Sequence, residues 1–199
     1  MKQISKKWIT IGIIALIVII IFMFFKTTYN KMVTYNESIN EKWSQVVTDY
    51  QRRLDLIPNL VNTVKGYSNF EKQTLVDVVN ARAKATSVNI DPSKLDEASL
   101  KQLQSTQGEL SSALSRLMVV VEQYPDLKAS KNYLELQAQL EGTENRIANA
   151  RRKFNEATKE YNTYIKRFPQ NILAGMYNFT SKSYFEAEAG AEKAPKVEF

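Results

Sequence analysis

An uncharged apolar run near the N-terminus constrains this chain more than any other feature of its sequence. Residues Trp8 to Phe25 carry no charge and are dominated by Ile, Leu, Val and Phe. At about 1.5 Å per residue, a helix over this run spans roughly 27 Å, close to the hydrocarbon thickness of a bilayer. Trp8 at one end and Phe24 and Phe25 at the other suit the two lipid–water interfaces. The run therefore predicts a transmembrane helix that contacts lipid through residues 8–25.

The residues that follow the run distinguish a retained anchor from a cleaved signal peptide. Signal peptidase needs small residues at its cleavage site, whereas residues 24–29 read Phe-Phe-Lys-Thr-Thr-Tyr. We therefore predict a retained anchor with basic flanks over residues 1–28. More lysines precede the run than follow it, which favours an N-terminus inside the cytoplasm and a downstream domain outside it. The lysines before it are Lys2, Lys6 and Lys7, and those after it are Lys26 and Lys31.

The net charge of +6 is concentrated around the same run. Residues 1–31 hold five of the 27 basic residues and none of the 21 acidic ones, so residues 32–199 are nearly neutral. Positive charge beside a membrane helix meets anionic lipid headgroups. The nearly neutral remainder lacks the basic surface of a nucleic-acid binder, and we expect no nucleic-acid partner.

The chain contains no cysteine and no histidine. The missing residue types exclude disulfides and thiolate nucleophiles, and they remove the commonest general base and metal ligand. Glu141 and Glu144 share a helical face, but carboxylate-bridged metal sites also need Glu-x-x-His pairs. We therefore expect no enzyme activity, no cofactor and no metal, although the sequence leaves a Ser–Lys catalytic pair open.

Three stretches beyond the anchor carry apolar residues in alternating steps of three and four. Such a stripe buries one face of a helix against partner helices, and no strand alternates in this way. The stripes therefore predict an all-α fold, an antiparallel up-and-down four-helix bundle that follows the transmembrane helix. They run over residues 43–64, 100–124 and 136–168.

Prolines divide the predicted bundle, residues 29–168, into helices. Asp91-Pro92 and Pro125-Asp126 are typical of helix starts, and Pro169 ends the last long helix. The first stripe passes through Pro58 without losing phase, which would fit one kinked helix over residues 29–65. Helices of matched length pack better, however, and we predict a break between residues 55 and 58. The predicted helices span residues 29–55, 58–88, 94–124 and 127–168, and residues 169–199 form an apolar segment and an extended tail.

Three separated motifs resemble the LemA family. The first includes Glu41-Lys42-Trp43-Ser44-Gln45 and residues 51–61, the second covers residues 140–155, and the third begins at Tyr184-Phe185-Glu186-Ala187. The resemblance implies a bacterial protein with an N-terminal membrane helix, a four-helix bundle and no settled biochemical activity. We therefore expect a single-pass protein of the bacterial cytoplasmic (inner) membrane.

The densest polar cluster is a candidate surface for a partner protein. It comprises Arg52, Arg53, Asp55 and Asn59. An exposed aspartate and two guanidiniums could grip a carboxylate of the partner. The alternative is a turn that Asp55 caps and that the arginines brace by pairing with neighbouring acids.

The apolar segment after Pro169 is a candidate membrane-interface segment. Its candidate lipid contacts are Ile172, Leu173, Met176, Tyr177 and Phe179. If the helices run up and down from the anchor, the last one returns toward the bilayer and brings this segment to its surface. Packing across the open end of the bundle is the alternative.

The surroundings of the polar residues on the buried stripes would distinguish two hypotheses of function. Asn36, Asn40, Gln107 and Thr143 either pair across the core or line a ligand cavity. The first outcome fits our main prediction, a scaffold that binds an unidentified membrane or envelope protein. The second fits a sensor that holds a small molecule or lipid in the bundle interior. An accessory factor to a membrane protease or stress system is a third alternative.

Overall fold

The computed structural model describes residues 6–66, 71–88, 90–92 and 95–186. Six helices and no strand occur in these ranges, so the predicted all-α class is confirmed. The up-and-down four-helix arrangement stays a prediction, and the tail beyond Glu186 lies outside the described residues. The helices are α1 (Lys6–Lys65), α2 (Lys72–Ser87), α3 (Glu97–Val121), α4 (Pro125–Lys128), α5 (Lys131–Lys166) and α6 (Gln170–Met176).

The chain divides into two compact units. Of the described residues, the first unit comprises those in 6–39 and 159–181, and the second comprises those in 40–158 and 182–186. Helices α1 and α5 contribute residues to both units. The first unit contains the apolar run and α6, whereas the second contains α2, α3 and α4.

The N-terminal part of α1 is long and apolar enough to cross a membrane. Every residue from Lys7 to Thr27 is exposed, and the large apolar side chains of the run are 38–69% accessible. A helix that is apolar all round and uncovered by protein belongs in lipid. Protein packing begins one residue later, at Thr28, which is 3% exposed.

Helix α1 continues through Pro58 to Lys65, so the predicted break between residues 55 and 58 is wrong. Proline has no N–H, and the carbonyl of Leu54 therefore loses its usual partner within the helix. Arg82 on α2 replaces that partner, because its Nε–H donates to the Leu54 carbonyl at 2.9 Å. A contact between helices thus satisfies the backbone at the proline.

The remaining predicted helix boundaries also need correction. The second helix begins at Lys72 rather than near residue 58. Helix α3 begins at Glu97, and its N-cap is Asp96 rather than Asp91. The predicted helix over residues 127–168 is two helices, α4 and α5, separated by Ala129 and Ser130. The Asp96 carboxylate accepts the backbone N–H of Ser99 at 2.8 Å, and this hydrogen bond lowers the pKa of Asp96 below its usual value.

The core of the second unit is built by five helices. Side chains from α1, α2, α3, α4 and α5 join one apolar cluster. Helix α2 packs on α3. Ile57, Leu60 and Val64 are fully buried there, one turn apart along the α1 face that faces the core. This core holds α3 and α5 in place to present the polar side chains of the site below.

Candidate functional site

In the second unit, the extended segment Lys182–Glu186, here called the resident segment, lies across α3 and α5. Asn155 on α5 makes two hydrogen bonds with the backbone of Phe185. Its Nδ2 donates to the Phe185 carbonyl at 2.9 Å, and its Oδ1 accepts the Phe185 N–H at 2.9 Å. One amide side chain thus satisfies both backbone polar groups of Phe185, as a neighbouring strand would.

A second pair of donors holds the next residue. Gln104 Nε2 on α3 and Arg151 Nη2 on α5 both donate to the Glu186 carbonyl at 3.0 Å. The Glu186 N–H is directed at Gln104 Oε1, at 3.4 Å. All these hydrogen bonds are made with the backbone of the resident segment. They therefore fix its position whatever its side chains are.

The Phe185 side chain supplies the one deeply buried anchor of the resident segment, and it is 4% exposed. Its ring stacks on Trp43, with centroids 6.2 Å apart, and meets Phe154 edge to face at 5.3 Å. The Arg151 guanidinium lies 5.1 Å from the ring centre, within cation–π range. Trp43 and Phe154 are themselves 2% and 0% exposed, so the pocket is rigidly enclosed.

Together, these five side chains form a cradle for an extended peptide. Three of them, Arg151, Phe154 and Asn155, come from α5 at spacings of three and four, which places them on one helical face. Trp43 comes from α1 and Gln104 from α3. The cradle consists of Trp43, Gln104, Arg151, Phe154 and Asn155.

A polar cleft of about 620 Å³ adjoins the cradle and shares Gln104 and Arg151 with it, and Glu186 of the resident segment also lines it. Arg53, 2% exposed, lies in this cleft. Its Nη2 donates to Ser111 Oγ at 2.7 Å and pairs with Glu144 Oε1 at 2.6 Å. The cleft thus presents ordered basic and hydroxyl groups beside the position of Glu186. The lining also includes Lys101, Ser105, Gly108, Ser112 and Ile147.

Gln107 lines this cleft and a second cavity of about 460 Å³. It is 5% exposed, and its Oε1 accepts no hydrogen bond within the described part of the chain. Thr143, by contrast, is satisfied, because its Oγ1 donates to the Gln139 carbonyl and accepts from Arg146. Of the four polar residues singled out in the sequence, Gln107 is the one that lines these cavities with an unsatisfied atom.

The predicted partner surface is divided between two faces of α1. Arg52, Asp55 and Asn59 are exposed and share one face, and Asp55 accepts a hydrogen bond from Gln51 at 2.8 Å. Arg53 points into the polar cleft, so the prediction that both guanidiniums belong to one partner surface is wrong, whereas its alternative, an arginine paired with an acid, holds for Arg53 and Glu144. No turn occurs here either, because α1 is helical throughout this stretch.

The predicted interface residues lie in the first unit. Ile172, Met176 and Tyr177 are 55%, 63% and 49% exposed. Leu173 is 2% exposed and faces inward, which corrects its inclusion among the lipid contacts. The Phe179 ring packs on Tyr29, with centroids 5.8 Å apart.

The carboxylates of Glu141 and Glu144, which share a face of α5, each bind a different side chain. Glu144 pairs with Arg53, and Glu141 accepts from Gln137 at 3.0 Å. Within the described ranges no group of three or more acidic side chains could hold a metal ion.

The sequence analysis identified the motifs that contribute to the cradle, but it did not predict that they lie close together in the fold. Trp43, Asn155 and Phe185 belong to three motifs that are far apart in the chain. The separation between Asn155 and Phe185 is 30 residues, and that between Gln104 and Glu186 is 82 residues. Gln104 belongs to none of the motifs. A signal was nevertheless present, since each motif couples an aromatic residue to an amide or a charge.

The chain is similar to a known protein family over most of its length. The profile of the LemA family matches residues 42–199. Protein LemA of Metamycoplasma hominis is 28% identical over 159 residues, covering 79% of this chain and 68% of that protein.

Two magnetosome proteins are similar to the same extent. Magnetosome protein MamQ of Magnetospirillum gryphiswaldense is 29% identical over 180 residues. MamQ 2 of Paramagnetospirillum magneticum is 28% identical over 181 residues. The alignments cover 81% and 82% of this chain, and the chain spans 66% of the length of each magnetosome protein.

Proposed function

The chain belongs to the LemA family, and on that premise we propose that it binds an extended segment of a partner protein in the cradle. The chain is membrane-associated, and its anchor would hold the cradle at the bacterial cytoplasmic membrane. We place the second unit on the extracytoplasmic side, because more lysines precede the apolar run than follow it. The proposed activity is binding, with no covalent bond made or broken.

The proposal rests on one observation: the cradle already binds an extended segment, the resident segment of the same chain. Asn155 and Gln104 bond the backbone of the resident segment as the edge of a sheet would bond an added strand. Backbone contacts of this kind accept many sequences. The pocket between Trp43 and Phe154 then selects a segment with an aromatic side chain at one position.

The polar cleft extends the proposed recognition beyond the aromatic residue. Arg151, Lys101 and Glu186 all line it, and the one other carboxylate in the lining, that of Glu144, pairs with Arg53. An acidic side chain after the aromatic one would gain favourable electrostatics from these cations. The unsatisfied Gln107 Oε1 offers an acceptor to an N–H of the bound segment. The preferred ligand is therefore an extended aromatic–acidic segment.

The resident segment competes with such a partner. Residues 179–186 have no regular secondary structure, and the described contacts that hold residues 185 and 186 come from side chains. A segment held in this way opens with a lower free energy than a helix of the core. Partner binding would then replace one extended segment by another.

Photocrosslinking in native membranes tests this function. We would place p-benzoylphenylalanine at Ser105, which lines the cleft, and produce the full chain in bacteria. The Phe185→Ala variant should crosslink to a partner several-fold more than the wild type, because its cradle is free. Adding Asn155→Leu should abolish that gain. Identical crosslinks in the three proteins would contradict the proposal.

The unsatisfied Gln107 also favours a second candidate function, a binding module for a small molecule or lipid. A buried acceptor without a donor is costly unless a ligand or water fills the site. Native mass spectrometry of the chain extracted from membranes would then show a bound molecule, and Gln107→Leu would reduce its occupancy about tenfold. Equal occupancy in the two proteins would end this alternative.

A further inference from the structure

Helix α6, in the first unit, carries apolar residues on both its covered and its uncovered side, and the exposed Asn171 is its one polar residue that is fully uncovered. Leu173 and Ala174 face inward and are 2% and 4% exposed. The opposite side carries Ile172 and Met176, 55% and 63% exposed. Phe168 and Tyr177 extend this outer face, with 79% and 49% exposure. A helix that meets water on its outer side would carry polar residues there.

The outer face of α6, defined as Phe168, Ile172, Met176 and Tyr177, lies close to the membrane anchor. The Tyr177 ring meets Tyr29 of α1, with centroids 4.9 Å apart. Tyr29 follows Phe25, the last residue of the apolar run, by four residues. Four residues of helix rise about 6 Å. The headgroup layer on each side of a bilayer is about 5–8 Å thick, so Tyr29 and its aromatic partner fall within it.

Contacts within the first unit fix α6 in this position. From Tyr164 of α5 to Tyr177 at the end of α6, the chain runs in the direction opposite to α1, since Tyr164 meets Tyr35 and the later Tyr177 meets the earlier Tyr29. Lys31 Nζ lies 5.3 Å from the centre of the Tyr164 ring. The Tyr161 hydroxyl donates to the Thr180 carbonyl at 3.0 Å, and burial raises the pKa of Tyr161.

A specific helix end directs the chain after α6. The Phe179 N–H donates to the Ala174 carbonyl at 2.9 Å, and the Asn178 N–H donates to the Gly175 carbonyl at 3.4 Å. This is the Schellman pattern, which needs a residue with positive φ after the helix. Asn178 has φ of 58° and meets that need. The turn brings Phe179 back onto Tyr29 and leaves the outer face uncovered.

The charge around the outer face suits anionic lipid. No acidic residue occurs in residues 7–36 or 161–181. Lys26, Lys166 and Arg167 are exposed in these ranges. Basic residues close to an anionic leaflet are attracted to it electrostatically. The surface is thus apolar where it would enter the bilayer and basic around that region.

We propose that the outer face of α6 lies in the headgroup layer of the leaflet from which α1 emerges. The chain would then contact lipid twice, through the transmembrane run and through α6. This proposal does not depend on the function of the cradle. The lipid surface of the anchor continues directly into the outer face, and for this reason we assign the face to lipid rather than to a second copy of the chain.

Tryptophan quenching in liposomes tests the proposal. In full-length chains with Trp8 and Trp43 replaced by phenylalanine, one tryptophan would be introduced at position 172 or 176. Val119, 67% exposed in the second unit, gives the matched control position. The vesicles would contain phosphatidylcholine and phosphatidylglycerol, with bromine near the headgroup end of the acyl chains. A chain that keeps Trp8 alone verifies insertion.

Ile172→Trp and Met176→Trp should be quenched at least about half as strongly as Trp8, because an interfacial helix buries its apolar face about 5–10 Å deep. Val119→Trp should not be quenched. If positions 172 and 176 are as insensitive to bromolipid as position 119, the proposal is wrong. A blue-shifted emission from position 176 without lipid quenching would identify a protein-covered face, which also overturns it.

Discussion

Replacing Phe185 with alanine is expected to release the resident segment from the cradle while the helices stay folded. A buried phenylalanine truncated to alanine costs about 3–5 kcal/mol, and Phe185 is 4% exposed between Trp43 and Phe154. The hydrogen bonds that hold the backbone of Phe185 and Glu186 are worth about 1 kcal/mol each after exchange with water. Ordering the backbone costs about 1–2 kcal/mol per residue. Without the ring, the segment should therefore open.

Trypsin cleavage after Lys182, followed by mass spectrometry on the full chain in nanodiscs, measures this release. Cleavage of a segment that opens rapidly tracks the population of the open form. The rate should rise at least about a hundredfold, the change expected for a loss of 3 kcal/mol or more. Tyr184→Ala is the matched control, because that neighbouring ring is 42% exposed. An unchanged cleavage rate in Phe185→Ala would contradict the role assigned to the ring.

Replacing Arg82 with methionine is expected to lower the free energy of unfolding by about 1–3 kcal/mol. The variant keeps an apolar stem but removes the donor to the Leu54 carbonyl, which Pro58 leaves without a helical partner. Leu54 is 5% exposed, so water does not readily replace the donor. Urea unfolding of the chain in detergent micelles measures the change. Arg116→Met, at an exposed arginine of α3, should have little effect.

A double-mutant cycle distinguishes the stabilisation that comes from the Arg82–Leu54 hydrogen bond from that which comes from packing of the Arg82 side chain. Pro58→Ala restores an N–H that can donate to the Leu54 carbonyl. Arg82→Met should then cost at least about 1 kcal/mol less in the Pro58→Ala background than in the wild type. Equal costs in the two backgrounds would show that Arg82 stabilises the chain in another way.

The features that sequence predicted correctly are those set by local periodicity. The apolar run is helical and exposed, and most residues of the three stripes are buried, among them Trp43, Leu110 and Phe154. Phe168, at the end of the third stripe, is an exception with 79% exposure. Periodicity also has a limited resolution. A step of four from Trp43 predicts that Val47 is buried, whereas the structure buries Val46 and leaves Val47 46% exposed. A residue one position away on a wide helical face satisfies the same pattern.

The features that sequence did not predict depend on contacts between distant residues. Pro58 is compatible with a continuous helix because Arg82 donates a hydrogen bond to the Leu54 carbonyl. The sequence around Pro58 does not predict that contact. Arg53 is buried because Ser111, 58 residues away, and Glu144 pair with it. The cradle likewise forms where α3 and α5 meet the resident segment. Local patterns predict helices, whereas the pairing of polar groups requires the fold.

Binding of a peptide in trans tests the central claim, that the cradle recognises extended segments, most directly. A fluorophore-labelled peptide with the sequence of residues 180–186 would be titrated onto the full-length Phe185→Ala chain in nanodiscs and followed by polarisation. We predict saturable binding, weakened by Asn155→Leu in the chain. A peptide with alanine in place of its phenylalanine should bind at least about a hundredfold more weakly. Equal binding of the two peptides, or no saturable binding of the first, would contradict the claim.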